Sequence, residues 1–298
     1  MTNIIELLKT NRPLVADGAM GSMILALPAK PEGAPESLNL THPHLLEDIA
    51  RSYFEAGAHI IQTNTFGASA VKLADYNLAD QTETVNTAAA VAVRNVVGDR
   101  ALVSGSCGPS GKMLVPFGDG DPGEIRDGFR RQISALAAAG VDLICVETMI
   151  DPVEAELAIG AAGEVAPDIP VMATMTFDHT PRGFFTMMGT SIAEAAGRLE
   201  QAGAAVVGSN CGNGLEHMIA IGREFVEVTS LPVIIQSNAG LPTMEDGRLV
   251  YAEDPQFFAE RVGQFIDAGV SIIGGCCGTT PEHISAIRSA VDAHNQHN

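Results

Sequence analysis

No stretch of this 298-residue chain is apolar for long enough to cross a bilayer. Its opening segment, MTNIIELLKTNRPL, lacks the basic, apolar and small-residue regions of a secretory leader. Both absences point to a cytoplasmic protein with no membrane partner. Basic side chains are scarce: 17 Lys and Arg stand against 36 Asp and Glu, a net charge of −19. Such a surface repels a phosphate backbone, which argues against nucleic acid as a partner. Five cysteines, an odd number, do not suggest a disulfide framework in a cytosolic chain. They are left as core thiols, metal ligands or nucleophiles. No Pro/Gly/Ser-rich linker or low-complexity segment divides the chain, so one domain over 1–298 is expected.

What is present is periodic. Eight near-continuous apolar runs begin at Leu14, His59, Ala101, Asp142, Pro170, Ala205, Pro232 and Val270. Strands buried on both faces have this pattern. Helical stretches separate them, over 43–56, 69–97, 124–139, 151–166, 191–202, 214–228, 254–268 and 281–294. A repeat underlies the alternation: EAGAHII, AAGVDLI, QAGAAVV and DAGVSII place Gly57, Gly140, Gly203 and Gly269 between a helix and the next strand. Glycine suits the left-handed residue that closes a helix. Eight strands alternating with eight helices predict a (β/α)8 TIM barrel, with its site at the carboxyl ends of the strands. Those ends carry Asp17, Asn64, Thr65, Ser106, Cys107, Glu147, Thr176, Asn210, Cys211, Asn238, Cys276 and Cys277.

The sixth and eighth strands leave such a barrel on either side of the seventh, so Cys211 and the Cys276–Cys277 pair converge. Neighbours on a regular strand face opposite ways. Gly274, Gly275 and Gly278 free the backbone so that both sulfurs can turn toward one ion. Three thiolates fit Zn2+ with a fourth tetrahedral position open, the arrangement of a catalytic zinc site. The competing readings are a vicinal disulfide, a structural zinc completed by a residue such as His217, and chance clustering of buried thiols. Cys145, mid-strand, reads as a core residue. Cys107 reads as small packing near a substrate rather than a fourth ligand. The eight histidines form no metal set, and His283 reads as a surface or supporting residue. In DGAMGS, Asp17 precedes a turn whose backbone N–H groups could hold a carboxylate. Asp17 and Glu147 could together hold an ammonium group. These groups sketch a pocket for an amino acid.

The motifs DGAMGS, TNTFGAS, ETMID, GSNCG and GGCCGTTPEHI resemble, in this order and over essentially the whole chain, those of the homocysteine S-methyltransferases. The resemblance implies a (β/α)8 barrel, a zinc held by Cys211, Cys276 and Cys277, and methyl transfer to the sulfur of L-homocysteine, giving methionine. It also implies that Asp17 and Glu147 bind the substrate ammonium and the Ala19–Met20 backbone its carboxylate. No catalytic residue beyond the metal site is implied. NAGLP and TFDHTPRGFFTMMGTSI are most similar to the homocysteine-binding module of cobalamin-dependent methionine synthase. The folate and cobalamin modules of that larger enzyme are not found in this chain. The expected donor is therefore a methyl-corrinoid, methylcobalamin delivered by a separate protein. Direct donors such as S-methylmethionine or betaine are the alternative. With no Trp and three Tyr, an aromatic cage for betaine is poorly supplied. A non-catalytic zinc or amino-acid binding protein is the alternative of another class.

Overall fold

The computed structural model describes residues 4–10, 12–27, 33–245 and 248–297. Eight parallel strands form its centre: β1 (Leu14–Val15), β2 (Ile60–Gln62), β3 (Leu102–Cys107), β4 (Leu143–Met149), β5 (Val171–Met175), β6 (Val206–Asn210), β7 (Val233–Ser237) and β8 (Ile272–Gly275). Each pairs with its neighbours in chain order, and β8 pairs with β1. A single bridge between Ala16 and Ile60 joins β1 to β2 and closes the ring. The expected (β/α)8 barrel is the architecture found. Among the described residues no helix is long and apolar enough to span a membrane.

Eight outer helices follow the strands: α1 (Pro43–Glu55), α2 (Thr82–Val97), α3 (Pro122–Ala138), α4 (Pro152–Val165), α5 (Ile192–Ala202), α6 (Leu215–Val228), α7 (Pro255–Ala268) and α8 (Pro281–His297). Three of them begin with the dipeptide Asp-Pro. Asp121, Asp151 and Asp254 accept a hydrogen bond from a first-turn amide, and the proline behind each sits where no amide partner is needed. The four repeat glycines all have left-handed backbone, φ 83–109°, so the Ala-Gly repeat is a helix-closing device.

Two expectations are corrected. The single helix foreseen over 69–97 is broken into Ala70–Ala74, a 3-10 turn at Ala79–Gln81, and α2. The break falls at Asn77, whose φ of 58° ends the first segment; asparagine tolerates this conformation better than other side chains. The segments after β5 and β7 also carry antiparallel hairpins that the apolar pattern did not reveal, Asp178–Thr180 with Gly183–Phe185 and Thr243–Glu245 with Arg248–Val250.

Alternation along the strands divides the apolar residues into two cores. Val15, Ile61, Val103, Val146, Val207, Ile235 and Ile273 face outward and pack under the helices. Leu14, Ile60, Leu102, Leu143, Met172, Val206, Ile234 and Ile272 fill the barrel's lower interior. A short helix at Ile4–Leu8, not foreseen, closes that end, with Ile4 inserted into the interior cluster. Two residues further along each strand the inward positions turn small or polar: Gln62, Ser104, Cys145, Thr174, Gly208, Gln236 and Gly274. The interior therefore passes from dry and apolar at the base to polar at the mouth.

The caps are testable apart from the site. Asp121→Ala removes the acceptor for the Glu124 amide, 2.9 Å away, and should lower unfolding stability by about 1 kcal/mol. A shifted urea midpoint with an unchanged slope is the expected result.

Candidate metal and substrate site

The turns after β6 and β8 bring three thiols together. Cys211 directly follows β6, with φ 62°. That left-handed backbone is unusual for a residue with a side chain and costs on the order of 1–2 kcal/mol. Its amide is held by the Gln236 carbonyl at 3.1 Å. On the other side of β7, the Cys276 amide donates to the Ser237 carbonyl at 2.7 Å. The Cys277 carbonyl accepts from the Ala239 amide at 2.9 Å, and the Thr279 hydroxyl donates to the Cys276 carbonyl at 2.7 Å. Both cysteines of the pair are thus fixed by their own backbone.

All three sulfurs lie within 4.8 Å of one another, with Cys211 Sγ and Cys277 Sγ 3.8 Å apart. Sulfurs on a tetrahedron about 2.3 Å from its centre are separated by about 3.8 Å. The spacing therefore fits a zinc-sized ion. The ionisation of the thiols shows what a cation would contribute there. Cys211 ionises far below the ordinary thiol range because Cys276 and Cys277 both donate to its sulfur. That anion then holds the thiols of Cys276 and Cys277 above the usual range. One negative sulfur can be accommodated by the thiols alone; three require a positive charge among them.

The other two cysteines are elsewhere. Cys145 belongs to the barrel interior and Cys107 to the outer core, turned away from the cavity. Burial raises both thiols, so neither is a ready nucleophile. His217 stacks on His179 with ring centroids 4.7 Å apart and contacts Asn213 rather than the sulfurs. His283, expected near the surface, is buried: it bonds the Glu253 carbonyl at 2.9 Å and accepts from the Thr280 amide at 3.1 Å.

Two carboxylates stand at the same mouth. Asp17 is 1% exposed. One oxygen, Oδ2, accepts from the Gln62 amide at 2.8 Å; the other, Oδ1, has no partner. Burial pushes its pKa up to about 8, with the Glu147 charge adding to the rise. Glu147 is also buried, accepts from the Ser106 hydroxyl, and is raised to about 7, mainly by desolvation. A register shift in β4 after Val146, followed by a left-handed Thr148 at φ 59°, sets the end of this strand. Asn210 holds that kink. Its Oδ1 accepts from the Thr148 amide at 2.8 Å and the Thr174 hydroxyl at 2.7 Å, while its Nδ2 donates to the Thr148 hydroxyl at 2.7 Å.

Glu147, Cys211, Cys276, Cys277, Gln236 and Met20 share the wall of one cavity of about 250 Å3. Ala19 lines it too, but its amide already donates to the Thr279 hydroxyl at 3.2 Å. Met20 opens a short helix, Met20–Leu25, rather than a free turn. Sequence reasoning passed over Gln62, Gln236 and Glu36, which also line the cavity. The two glutamines were legible as inward positions near strand ends; Glu36, on a 3-10 turn between β1 and α1, had no periodic signal. Gln236 Oε1 is buried without a partner, as is Asp17 Oδ1; such an atom costs about 1–3 kcal/mol. A second cleft, of about 350 Å3, opens at the base beside Ile5 and Pro167, far from these groups.

The homocysteine S-methyltransferase profile matches residues 14–291. The chain is 34% identical over 307 aligned residues to the methionine synthases of Mycobacterium leprae and Mycobacterium tuberculosis. The match covers 97% of this chain and 25% of each of those proteins, so the chain spans about a quarter of their length. In fold it is similar to the homocysteine methyltransferase MmuM of Escherichia coli. The metallated form superposes with a TM-score of 0.79 at 22% identity, over 95% of this chain and 98% of that one. The oxidised form gives 0.79 at 23% identity, over 97% and 99%. With the profile spanning nearly all of the barrel, the chain belongs to the homocysteine S-methyltransferase family.

Proposed function

We propose that this enzyme transfers a methyl group to the sulfur of L-homocysteine, giving methionine, with zinc held by Cys211, Cys276 and Cys277. The observation that carries the proposal is the convergence of these three sulfurs with buried Glu147 in one cavity, beside Asp17. When bound, zinc supplies a fourth position at which a thiol loses its proton at neutral pH. Asp17 and Glu147 bind the substrate ammonium. Their raised proton affinity reflects two carboxylates buried without a cation, and an ammonium group supplies one. The carboxylate is received at the Met20 backbone, where the short helix begins, the Ala19 amide being taken by Thr279. With the amino acid held at its head, its side-chain sulfur is directed to the thiol cluster, and orientation provides much of the rate enhancement. No general base on the protein is required for the transfer itself.

The donor we infer is a methyl-corrinoid carried outside this barrel. Likeness to about a quarter of each larger methionine synthase supports this. Zinc-loaded enzyme supplied with homocysteine and methylcobalamin should form methionine slowly. Turnover with S-methylmethionine and none with methylcobalamin or a methyl-corrinoid protein would reject the corrinoid while keeping the acceptor. No methionine with any donor would reject the reaction.

Metal analysis should find one zinc per chain. Cys211→Ala, Cys276→Ala and Cys277→Ala should each abolish tight binding and turnover; Cys145→Ala should retain both. Glu147→Ala should keep zinc and lose homocysteine.

A pH dependence follows from the carboxylates. The metal-free fold binds protons at Asp17 and Glu147 up to about pH 8 and 7, whereas the unfolded chain releases them near pH 4. Over that window the folded state holds more protons, so its stability falls as pH rises. The melting temperature of metal-free protein should therefore drop between pH 5 and 8, roughly the span between those values. Asp17→Asn should flatten the drop. An identical slope in the variant would show that Asp17 ionises freely.

A further inference from the structure

Gln236 is 2% exposed, lines the cavity, and its Oε1 has no hydrogen-bond partner. Its backbone is fully used: it pairs with Asn210 and Gly274, and its carbonyl accepts from the Cys211 amide. The side chain, by contrast, brings a strong acceptor into a low-dielectric interior and leaves it unmatched. Buried polar groups are nearly always paired, so one left over at a binding cavity marks a place where a ligand completes the pairing.

The neighbouring strand explains how the side chain gets there. Gly274 of β8 is the register partner of Gln236. A Cβ at Gly274 would lie 3.2 Å from Gln236 Cγ, 3.1 Å from the Asp17 carbonyl oxygen and 2.8 Å from Ala16 Cβ. The missing side chain on β8 therefore lets Gln236 of β7 lean across it toward Asp17 of β1. Asp17, beside the cavity, offers a second unmatched acceptor, Oδ1, and Glu147, which already accepts from the Ser106 hydroxyl, lines the wall. The two unmatched oxygens call for donors, and among the described residues no Lys or Arg lines the cavity. An α-ammonium group carries three N–H donors.

We propose that Gln236 is a substrate-positioning residue whose side-chain carbonyl accepts from the α-ammonium of homocysteine, alongside Asp17 and Glu147. This rests on the homocysteine reading above and adds a third, uncharged member to the ammonium site. An uncharged acceptor has a specific use here. A carboxylate in its place would raise the proton affinity of Asp17 and Glu147 further, whereas a carbonyl oxygen adds a hydrogen bond without adding charge. Gln236 then reads the amino group itself, and the ligand class is an α-amino acid bearing a thiol.

The test compares homocysteine with 4-mercaptobutanoate, which keeps the thiol and carboxylate and lacks the amine. Dissociation constants are measured by calorimetry on zinc-loaded protein, wild type and Gln236→Met, a variant of similar volume with no oxygen acceptor. The expected result is homocysteine weakened by about thirtyfold, as for a hydrogen bond to a charged group, with 4-mercaptobutanoate changed by less than about threefold and zinc content unchanged. Equal weakening of both ligands would assign Gln236 a packing role and overturn the proposal, as would unchanged homocysteine affinity. If the wild type bound 4-mercaptobutanoate as well as homocysteine, the whole ammonium site would fall, and if it bound neither, the homocysteine reading itself would fall.

Discussion

Two consecutive carbonyls at the end of β7 hold the site together. Gln236 takes the amide of Cys211 and Ser237 that of Cys276. One strand end thereby sets the distance between two turns that are 65 residues apart in the chain, and the spacing of Cys211 from the Cys276–Cys277 pair depends on it. The barrel makes this possible. Parallel strands bring all their carboxyl ends to one rim, and β7 lies between β6 and β8. Without that order, Cys211 would need its strained backbone without the bond that holds it in place.

The charge of the cavity is the second organising fact. Three thiols and the buried carboxylates of Asp17, Glu36 and Glu147 are gathered together, with no basic side chain among the described cavity-lining residues. Burial, with neighbouring anions adding to it, resists full ionisation, as the raised proton affinities of Asp17 and Glu147 show. The proposed reading would relieve it from two sides, with a metal at the sulfurs and an ammonium at the carboxylates, both positive charges coming from outside the cavity wall.

Much of the architecture was legible because barrel strands are long enough to repeat. The apolar runs and the Ala-Gly repeat located all eight strands, and the glycines flanking Cys276–Cys277 indicated that both sulfurs could face one point. Strand-end position found Asp17 and Glu147. What escaped has a common cause. Asn77, the hairpins after β5 and β7, the Ile4–Leu8 helix and Glu36 lie in short segments whose conformation is set by a few local bonds or by tertiary packing, which leave no period to read. His283 was misjudged because helix direction alone does not show that a neighbouring loop, here Glu253, covers a first-turn side chain. The unmatched oxygen of Gln236 could not be seen in sequence, since pairing is a property of three-dimensional surroundings.

The plug at the base has a kinetic meaning. With Ile4 set into the lower interior and apolar side chains filling the layers above it, the described residues close the base, and the cavity lies at the mouth. A molecule arriving there and a molecule departing share the same passage. Under the proposed reaction, an amino acid bound against Asp17 and Glu147 would be covered by whatever brings the methyl group, so it would have to enter before that partner and leave after it.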